Sequence, residues 1–306
     1  MLASHDALLV TSALSQMEGR SRREWKHTLQ TLRLLDLTWS DLAEMGAPEA
    51  WKWLGWNESF YRQWLSALSV ARAQLERSID AGISVATELD EDVPFWLKTL
   101  NAVPWVFYRG DASLLDCVTV GFSGQRDAGE ESLAITVALA EQAARLGYTV
   151  VSGGARGIDM AAHVAVLEAG GATAVVLPQG LATWNPPHAL ANRQVAGRVL
   201  VLGEDVPWEA WNTDSAMRRN RMIVDLSRIF TVPQSGTSGG SHSTGMYALN
   251  HDRVTFVPDL GPGYPGNLRL LQRGARPLVM QDGRPDLERM LIDSQPVDKP
   301  SQASLF

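Results

Sequence analysis

One segment of the sequence combines glycines with a cation in a way that could bind an anion. Residues 152–159 read Ser-Gly-Gly-Ala-Arg-Gly-Ile-Asp, between a β-branched apolar run at 148–151 and an Ala-rich stretch that begins at Met160. This pattern predicts a strand, a tight turn and a helix. Glycines let the backbone approach a ligand closely, and a helix N-terminus presents free N–H groups and a partial positive charge. We therefore expect a phosphate site here, with Arg156 as its fork-shaped cation.

Three further segments carry donors for anionic oxygens and are predicted to reach the same edge of a sheet as loops. They are 123–126 (Ser-Gly-Gln-Arg), 217–221 (Met-Arg-Arg-Asn-Arg), which precedes a short apolar helix at 222–226, and 234–244, which is rich in Gly and hydroxyl side chains. Backbone N–H and hydroxyl groups in such loops bind phosphate oxygens. The residues predicted to bind phosphate are Gly124, Gln125, Arg126, Ser152, Gly153, Gly154, Arg156, Gly157, Arg219, Asn220, Arg221, Ser238, Gly239, Gly240 and Ser241.

No catalytic motif is expected in these loops. The pattern G-x-x-x-x-G-K-[ST] is absent, the first strand is not followed by G-x-G-x-x-G, and a hydrolase serine in a G-x-S-x-G turn is not expected. His163 lies four residues after Asp159 and could form an acid–base pair with it, but we favour a structural role in which Asp159 caps the helix and His163 hydrogen-bonds the neighbouring loop. Arg219 and Arg221 could equally pair with carboxylates or loop carbonyls. We expect no metal and no cofactor, since one Cys and scattered His give no zinc cluster.

The composition is that of a soluble globular protein, and it limits how nucleic acid could bind. The 306 residues are 45% hydrophobic and 20% charged, with a formal net charge of −7. Proteins that bind DNA with their whole surface are usually basic, so a phosphate-binding role must come from a local positive patch. The single cysteine, Cys117, cannot form an intrachain disulfide, and neither a membrane-spanning apolar run nor a secretory leader is seen. We therefore expect a cytoplasmic protein without membrane contact.

Hydrophobic spacing predicts two regions of different architecture. Residues 1–80 show helical spacing and are expected to form a small domain of four or five helices. Residues 81–294 alternate apolar strands with helical stretches, which is typical of an α/β fold with a doubly wound, mostly parallel, extended Rossmann-like sheet. A polar tail at 295–306 is expected to be flexible, and no C-terminal winged helix is expected. The strands are predicted at 83–87, 106–108, 118–122, 148–151, 173–177, 199–202, 229–232 and 254–257.

The sequence is also rich in tryptophan, with 11 residues of this type. Tryptophan stacks on bases in single-strand binders, but it more often fills cores and interfaces, and we favour that second interpretation. Seven of the tryptophans fall in the first third of the chain: Trp25, Trp39, Trp51, Trp53, Trp56, Trp64 and Trp96.

Taken in chain order, these motifs resemble the DprA/Smf family. The family order is matched by Gly-Gln-Arg after a strand, Ser-Gly-Gly-Ala-Arg-Gly-Ile-Asp with Ala-Ala-His, Arg-Asn-Arg-Met-Ile and the Ser-Gly-Gly loop. Residues 90–94, 108–111, 266–268 and 273–275 add to the likeness, which spans residues 80–280. The resemblance implies an extended Rossmann-like domain that binds single-stranded DNA without catalysis, forms a homodimer and helps to load the recombinase RecA.

The resemblance also implies that the Gly and Arg residues of the four loops form the DNA-binding pocket, and two departures from the family pattern bear on it. Thr237 stands where the family often has Lys, and Ala216-Met217 stands where Phe-Pro is usual. Together with the acidic net charge, these departures make Arg156 the cation on which the predicted DNA binding depends most.

Two other functions are consistent with the sequence. Because a cation is lost and the N-terminal region is Trp-rich, the chain could be a regulatory or antitoxin-like partner protein in a phage-defence system. Because a Gly-Gly turn before a helix holds a diphosphate equally well, it could also be a small-nucleotide sensor or a nucleotide-cleaving enzyme. The leading interpretation is a non-catalytic, single-stranded DNA-binding protein of DNA processing and recombination, with RecA or a dedicated protein as a further partner.

Overall fold

The computed structural model describes residues 2–44, 57–191 and 197–294. The helices are α1 (Leu2–Ser15), α2 (Arg22–Leu34), α3 (Trp39–Glu44), α4 (Glu58–Asp80), α5 (Phe95–Thr99), α6 (Glu130–Arg145), α7 (Ile158–Glu168), α8 (His188–Ala191), α9 (Thr213–Leu226), α10 (Gly240–Asn250), α11 (Pro265–Gln272) and α12 (Leu287–Asp293). The strands are β1 (Ser84–Thr87), β2 (Trp105–Arg109), β3 (Thr119–Phe122), β4 (Thr149–Gly153), β5 (Ala172–Val176), β6 (Val199–Gly203), β7 (Ile229–Thr231), β8 (Thr255–Val257), β9 (Arg276–Pro277), β10 (Met280–Gln281) and β11 (Arg284–Pro285). The predicted tail at 295–306 lies outside the described residues.

Within the described residues, nine strands form one sheet in the order β1-β2-β6-β5-β4-β3-β7-β8-β9. Neighbouring strands pair in parallel from β6 to β9. Only the edge next to β6 is antiparallel, where β2 pairs with β6 and β1 pairs with β2. The predicted α/β fold with a doubly wound, mostly parallel sheet is therefore confirmed.

The strand order reverses beside β3, and this reversal determines where a ligand can bind. The chain fills the sheet outward from β3 through β4, β5 and β6, and then returns to place β7 on the other side of β3. The loops that leave the carboxyl ends of β3 and β7 turn toward opposite faces, which opens a crevice between them. β4 pairs with β5 from Thr149↔Ala172 to Gly153↔Val176, so Gly153 is the last paired residue of β4 at this edge.

Helices cover both faces of the sheet, as a parallel sheet requires. Val150 and Val151 of β4 are both fully buried but belong to two different apolar clusters, because successive side chains of a strand point to opposite faces. The first cluster contains Leu139 of α6 and Val166 of α7 and continues into the N-terminal helices. The second contains Ile223 of α9. The crevice beside β3 is thus held between two packed layers.

The N-terminal helices contact the sheet region through a buried tryptophan. The ring centroid of Trp25 in α2 lies 6.3 Å from that of Trp105 in β2. The core interpretation is confirmed for the buried residues Trp25, Trp39, Trp64 and Trp96. The other three of the first seven, Trp51, Trp53 and Trp56, lie outside the described residues. None of the helices in the described ranges is long and apolar enough to cross a membrane.

The expectation of a loop at 217–221 is wrong, because α9 runs from Thr213 to Leu226 and contains these residues. The side chain of Asn212 accepts a hydrogen bond from the N–H of Ser215 at 2.8 Å and caps the helix well before them. The first three turns of α9 are mostly polar and its apolar residues lie near its C-terminus. The hydrophobic spacing of the sequence therefore predicted only the last part of the helix. The last part of the fourth predicted loop is likewise helical, since α10 begins at Gly240.

Candidate functional site

The helices that follow β4 and β7 both begin at a glycine with a positive φ angle. Gly157 (φ 85°, ψ −129°) precedes α7, and Gly239 (φ 86°, ψ −171°) precedes α10. Neither of these two helices has a side-chain cap in the structure. A cap side chain normally accepts hydrogen bonds from the N–H groups of the first turn. In the part of the chain that the structure describes, the N–H groups of the first turn of α10 have no acceptor before Ser243, so they and the partial positive charge of the helix are open to an anion. At α7 the N–H groups of Ile158 and Met160 already donate to the carbonyl oxygens of Gln125 and Ala155, so only the N–H of Asp159 is open there.

The loop after β3 and the turn after β4 are interlocked through glycines. A Cβ atom on Gly157 would clash with the carbonyl oxygens of Gln125 and Arg126, and a Cβ on Gly124 would clash with the side chain of Ile158. The N–H of Ile158 donates to the carbonyl oxygen of Gln125 at 3.3 Å. Only glycine permits these close approaches. The structure therefore brings together the two predicted segments that contain Gly124 and Gly157.

Gln234 joins the loop after β7 to the loop after β3. Its side-chain Nε2 donates to Oε1 of Gln125 at 2.8 Å, while its Oε1 accepts from the N–H of Gly129 at 2.8 Å. In the backbone, the N–H of Gln125 donates to the carbonyl oxygen of Gln234 at 3.1 Å. These bonds fix the two sides of the crevice relative to each other.

Asn267 of α11 holds the start of the loop after β7 through hydrogen bonds. The residue is fully buried, and its Oδ1 accepts from the N–H of Ser235 at 2.8 Å. Its Nδ2 donates to the carbonyl oxygens of Pro233 at 3.1 Å and Pro258 at 3.2 Å. The neighbouring Gly266 has no room for a Cβ, which would clash with the carbonyl oxygen of Ser235. This segment thus holds the start of the loop that leads to Gly239.

Arg219 extends from α9 toward the turn after β4. Its Nη1 lies 3.3 Å from Oδ2 of Asp159, and the two side chains are only 11% and 7% exposed. Burial raises the pKa of Asp159, and the neighbouring Arg219 guanidinium opposes that rise. A Cβ on Gly153 would overlap the guanidinium, so glycine at this position is what lets the cation reach the turn. Arg219 therefore has features of both roles that the sequence left open. It pairs with the carboxylate of Asp159, and it also lies beside the turn that is predicted to bind an anion.

The expected helix cap at Asp159 is wrong, because Gly157 is the residue that begins α7. The chain enters the helix through the positive φ of this glycine, which places Asp159 inside the first turn. There its carboxylate contacts Arg219 and accepts a hydrogen bond from the backbone of Ala155. Asp159 therefore neutralises a cation beside the turn instead of satisfying the N-terminus of the helix.

His163 is fully buried and holds the end of β4. Its Nε2 lies 2.8 Å from the carbonyl oxygen of Gly153, and its Nδ1 lies 2.6 Å from Oγ1 of Thr173. A neutral ring donates from Nε2–H to Gly153 and accepts at Nδ1 from the Thr173 hydroxyl, whose single O–H has a second acceptor in the carbonyl oxygen of Val150 at 3.0 Å. Burial lowers the pKa of His163 to about 4, which keeps the ring neutral near pH 7. The partners of His163 are those of a positioning residue, and Asp159 is not among them.

Of the other predicted cations, Arg126 and Arg156 belong to the loops at the rim of the crevice, and Arg221 belongs to α9. Arg156 is 75% exposed, with Nη2 at 2.7 Å from Oδ1 of the exposed Asp127. Arg126 precedes Asp127 in the sequence and is exposed, whereas Arg221 places its guanidinium 5.7 Å from the ring centroid of Tyr247 in α10. Arg156 can therefore reorient toward a ligand at little cost, because an exposed ion pair contributes only about 0–1 kcal/mol.

The segment that contains Ser238 has one feature that the sequence expectation missed. Residues 236–240 (Gly-Thr-Ser-Gly-Gly) do have the G-x-S-x-G spacing, so the expectation of no such serine is wrong in its literal form. Ser238 lies in an exposed loop beyond the end of β7 and has no hydrogen bond to a His or an acid in the described residues. A nucleophile elbow requires the serine on a sharp strand-to-helix turn beside its base. The match is therefore one of spacing alone.

The same loop meets α9 near its end. A Cβ on Gly240 would lie 3.8 Å from Nδ2 of Asn220, so these two predicted residues are neighbours. Ser238, Gly239 and Gly240 are exposed, and Ser241 is half-buried in the first turn of α10. In residues 2–44, 57–191 and 197–294, no group of three or more His, Cys, Asp or Glu could hold a metal ion.

Three residues of the site were not singled out from the sequence for the work that they do. Gln234 and Asn267 fix the loops, and Arg269 donates from Nη1 to the carbonyl oxygen of Thr237 at 3.1 Å. Arg269 thus places a guanidinium against the backbone of Thr237, the residue that stands where the family often has Lys. The Gly266-Asn267 pair was recognisable as a motif, but the partners of a side chain more than 30 residues away cannot be read from local spacing.

Comparison with known proteins gives a consistent result over most of the chain. The sequence profile of the family described as DNA recombination-mediator protein A matches residues 84–284. The DNA processing protein DprA of Bacillus subtilis is 31% identical over 228 residues, which cover 72% of this chain and 73% of that protein. The DNA processing protein DprA of Streptococcus pneumoniae is 31% identical over 202 residues, covering 61% of this chain and 68% of that protein.

Two solved structures resemble the fold. DNA processing protein A from Streptococcus pneumoniae superposes with a TM-score of 0.69 at 23% identity, covering 94% of this chain and 96% of that one. DNA processing protein A from Helicobacter pylori gives a TM-score of 0.56 at 25% identity, covering 68% of this chain and 94% of that one. The Helicobacter pylori structure is described as showing a single-stranded DNA binding mode of that protein.

Proposed function

The chain belongs to the DprA/Smf family of DNA recombination-mediator proteins, and from this premise we propose that it binds single-stranded DNA where β3, β4 and β7 end. The observation that carries the proposal is the pair of uncapped helix N-termini at Gly157 and Gly239, with the buried Arg219 beside the first. The open N–H groups of α10, the N–H of Asp159 in α7 and the guanidinium of Arg219 are separate donors on one crevice, which suit a chain of phosphates better than a single small anion.

The crevice would hold the DNA backbone through two kinds of contact. The first N–H groups of α10, the N–H of Asp159 in α7 and the guanidinium of Arg219 supply fixed donors, which favour charged oxygens strongly. Arg126, Arg156 and Arg269 supply mobile cations at the rim. Because all of these groups address phosphate, we expect binding that tolerates any base sequence and weakens with salt.

The acidic net charge limits how strongly DNA can be attracted to the protein as a whole. With a formal net charge of −7, long-range attraction to DNA is absent and only the local cations of the crevice favour it. At an ionic strength of about 0.15 M the screening length is about 8 Å, so charges on distant surfaces contribute little to the local attraction. We therefore expect an affinity that depends on a few named residues and not on the total charge.

A direct binding experiment tests the proposal. Fluorescence anisotropy of a labelled oligothymidylate would be measured at about 50 and about 200 mM salt, with Arg219→Met and Arg62→Ala as variants. Arg62 is a matched control, because it is 76% exposed in an i,i+4 pair on α4. We expect salt-sensitive binding that Arg219→Met weakens and Arg62→Ala leaves unchanged. Absence of binding at low salt, or equal binding by all three proteins, contradicts the proposal.

Competition distinguishes single-stranded DNA from the other ligands that the crevice could admit. Unlabelled single strand, the matched duplex and free nucleotides would be added to the preformed complex. Displacement by the single strand at the lowest concentration supports the proposal, whereas displacement by a free nucleotide at equal concentration would favour a nucleotide sensor.

The finer role in recombination rests on family membership. We propose that the bound strand is passed to a RecA-type recombinase, that the chain acts as a homodimer and that it does so without catalysis. Light scattering of the purified protein measures the oligomeric state. The transfer of the strand to the recombinase is measured by the rate at which RecA assembles filaments on DNA coated with single-strand-binding protein. The rate is compared with and without this chain.

A further inference from the structure

Trp184 lies next to the Gly-Gly turn of the candidate site, in a position that the sequence did not suggest. A Cβ on Gly154 would lie 3.7 Å from the indole Nε1 of Trp184, and 3.8 Å from the side chains of Leu177 and Val175. These are ordinary van der Waals distances, so the edge of the indole flanks the turn directly after Gly153. Trp184 is half-buried and packs against the apolar cluster on one side.

The backbone before Trp184 is held in place by a second loop. The 3-10 turn Leu181–Thr183 follows β5, and the N–H groups of Gly180 and Ala182 donate to the carbonyl oxygens of Glu209 and Pro207 at 2.9 and 2.8 Å. A Cβ on Gly180 would clash with the same loop. Leu181 is fully buried. The indole is therefore presented by a fixed segment, so a ligand would not have to order it on binding.

The polar atom of this indole is unused by the protein. Within the described residues, Nε1 of Trp184 has no hydrogen-bond acceptor, and it is not among the polar atoms that are buried without a partner. By contrast, Nε1 of Trp208 donates to the hydroxyl of Ser78 at 3.1 Å, with Arg77 over its ring at 3.9 Å. The N–H of a buried tryptophan usually finds an acceptor, whereas this one stays accessible beside the glycine turn, where a ligand oxygen could accept from it.

We propose that Trp184 contacts the nucleic acid, an inference that rests on the proposed function. Its N–H donates a hydrogen bond to an oxygen of the phosphate held at the Gly153-Gly154 turn, and its ring packs against the base or sugar of the same nucleotide. The N–H donor adds to the phosphate site without adding charge, in a crevice where Thr237 stands in place of a cation. The exposed part of the ring gives a sequence-tolerant surface, because every base has a flat apolar face.

Two substitutions separate the two contacts. Trp184→Phe keeps an aromatic ring and removes the N–H, while Trp184→Leu removes both the N–H and the aromatic surface. We expect Trp184→Phe to weaken oligothymidylate binding about three- to tenfold, the effect of one neutral hydrogen bond. Trp184→Leu should weaken it by about a further tenfold through lost stacking. Trp211→Phe, in an exposed tryptophan of the same chain, is the matched control and should leave the affinity unchanged.

A spectroscopic measurement reports on the contact directly. The protein would be labelled with 5-fluorotryptophan, and the ¹⁹F resonance that disappears in Trp184→Phe is that of Trp184. We expect this resonance to shift or broaden on titration with the oligonucleotide, while the resonance of the buried Trp64 stays in place. Thermal unfolding of both variants shows whether a loss of affinity comes from a loss of the folded protein.

The outcomes keep this inference distinct from the proposed function. If the unmodified protein binds no single-stranded DNA at low salt, the proposed function fails and the inference fails with it. If the protein binds DNA but the Trp184 resonance does not move and both variants bind normally, the inference alone is overturned. A moved resonance with normal binding by Trp184→Phe and weakened binding by Trp184→Leu would overturn the hydrogen bond and retain the packing contact.

Discussion

Arg219 and Asp159 form a largely buried ion pair, with Nη1 3.3 Å from Oδ2, beside the glycine turn that ends β4. The pair joins a helix on one side of the sheet to the first turn of a helix that follows β4. It also affects the charge of the candidate site, because the carboxylate of Asp159 offsets the positive charge of Arg219 beside the turn. Changes in either partner should therefore alter stability and ligand affinity in different ways.

Replacing Arg219 by Met should lower both properties. An unpaired carboxylate at Asp159 would remain buried, and breaking such a pair costs about 3–5 kcal/mol of the free energy of unfolding. The double variant Asp159→Asn/Arg219→Met should regain most of that loss, since the buried charge is gone, yet still bind the oligonucleotide weakly. Urea unfolding and anisotropy on the same samples measure the two effects. Recovery of affinity in the double variant would show that Arg219 acts only through the fold.

The two glycine N-caps should respond differently to alanine. Gly239 has a positive φ but no atom within 4 Å of a Cβ, so Gly239→Ala should cost only the backbone strain, about 1–3 kcal/mol. Gly157 has the same φ, and a Cβ there would also clash with carbonyl oxygens of the β3 loop. We expect Gly157→Ala to be clearly the more destabilising in thermal unfolding and to weaken DNA binding more. Equal effects would mean that the two loops are not in contact.

The buried His163 should make stability fall in acid. Its pKa in the folded protein is about 4, below the ordinary value of 6.5, so the unfolded chain takes up the proton first as the pH falls. The contribution of the neutral ring is therefore complete above pH 6.5 and is lost between pH 6.5 and 4, by about 2 kcal/mol at pH 5.

The corresponding experiment compares His163→Gln with the unmodified protein by urea unfolding at pH 7.5 and pH 5. The destabilisation caused by the substitution should be large at pH 7.5 and should shrink by about 2 kcal/mol at pH 5, because the variant has no ring to protonate. Buried acids such as Asp159 titrate in both proteins, so they cancel in the comparison. An unchanged difference between the two pH values would contradict a neutral buried ring.

The exposed pair at the rim should affect binding and leave stability nearly unchanged. Asp127→Ala frees the guanidinium of Arg156 and should tighten oligonucleotide binding a few-fold, whereas Arg156→Ala should weaken it a few-fold. Because both side chains are at least 75% exposed, neither change should alter the free energy of unfolding measurably. If Asp127→Ala and Arg156→Ala both weakened oligonucleotide binding, the intact ion pair, and not the free guanidinium of Arg156, would be what contributes to the affinity.

The alternation of strands and helices made the architecture predictable. Each parallel strand is buried on both faces, so it appears in the sequence as a short apolar run, and all eight predicted strands correspond to β1 through β8. The two-residue strands β9, β10 and β11 are too short to show any period, and they were missed. The glycines of the site were also predictable, since each close approach or positive φ excludes a side chain.

The side chains that arrange the site were less predictable, because their partners are distant in sequence. Arg219 and Asp159 are 60 residues apart, and the sequence left open whether the arginine was structural. That Arg156 is the cation on which binding depends most stays a prediction, and its pairing with the exposed Asp127 could not be read from the sequence. The helical structure of residues 217–221 was not predicted because these residues are mostly polar and precede the apolar residues of α9 that pack on the sheet.

The reversal of strand order beside β3 also has a consequence for how the protein is made. Gln125 and Gln234, which fix the two sides of the crevice relative to each other, are 109 residues apart, so a chain emerging from the ribosome can pair β3 through β6 long before β7 is synthesised. Until then β3 is an open sheet edge and only one helix N-terminus of the two is in place, which makes the partial chain prone to aggregation. On the proposed function, translation would have to proceed past residue 240 before both sides of the crevice exist, and a pause before that point exposes the edge of β3 for longer.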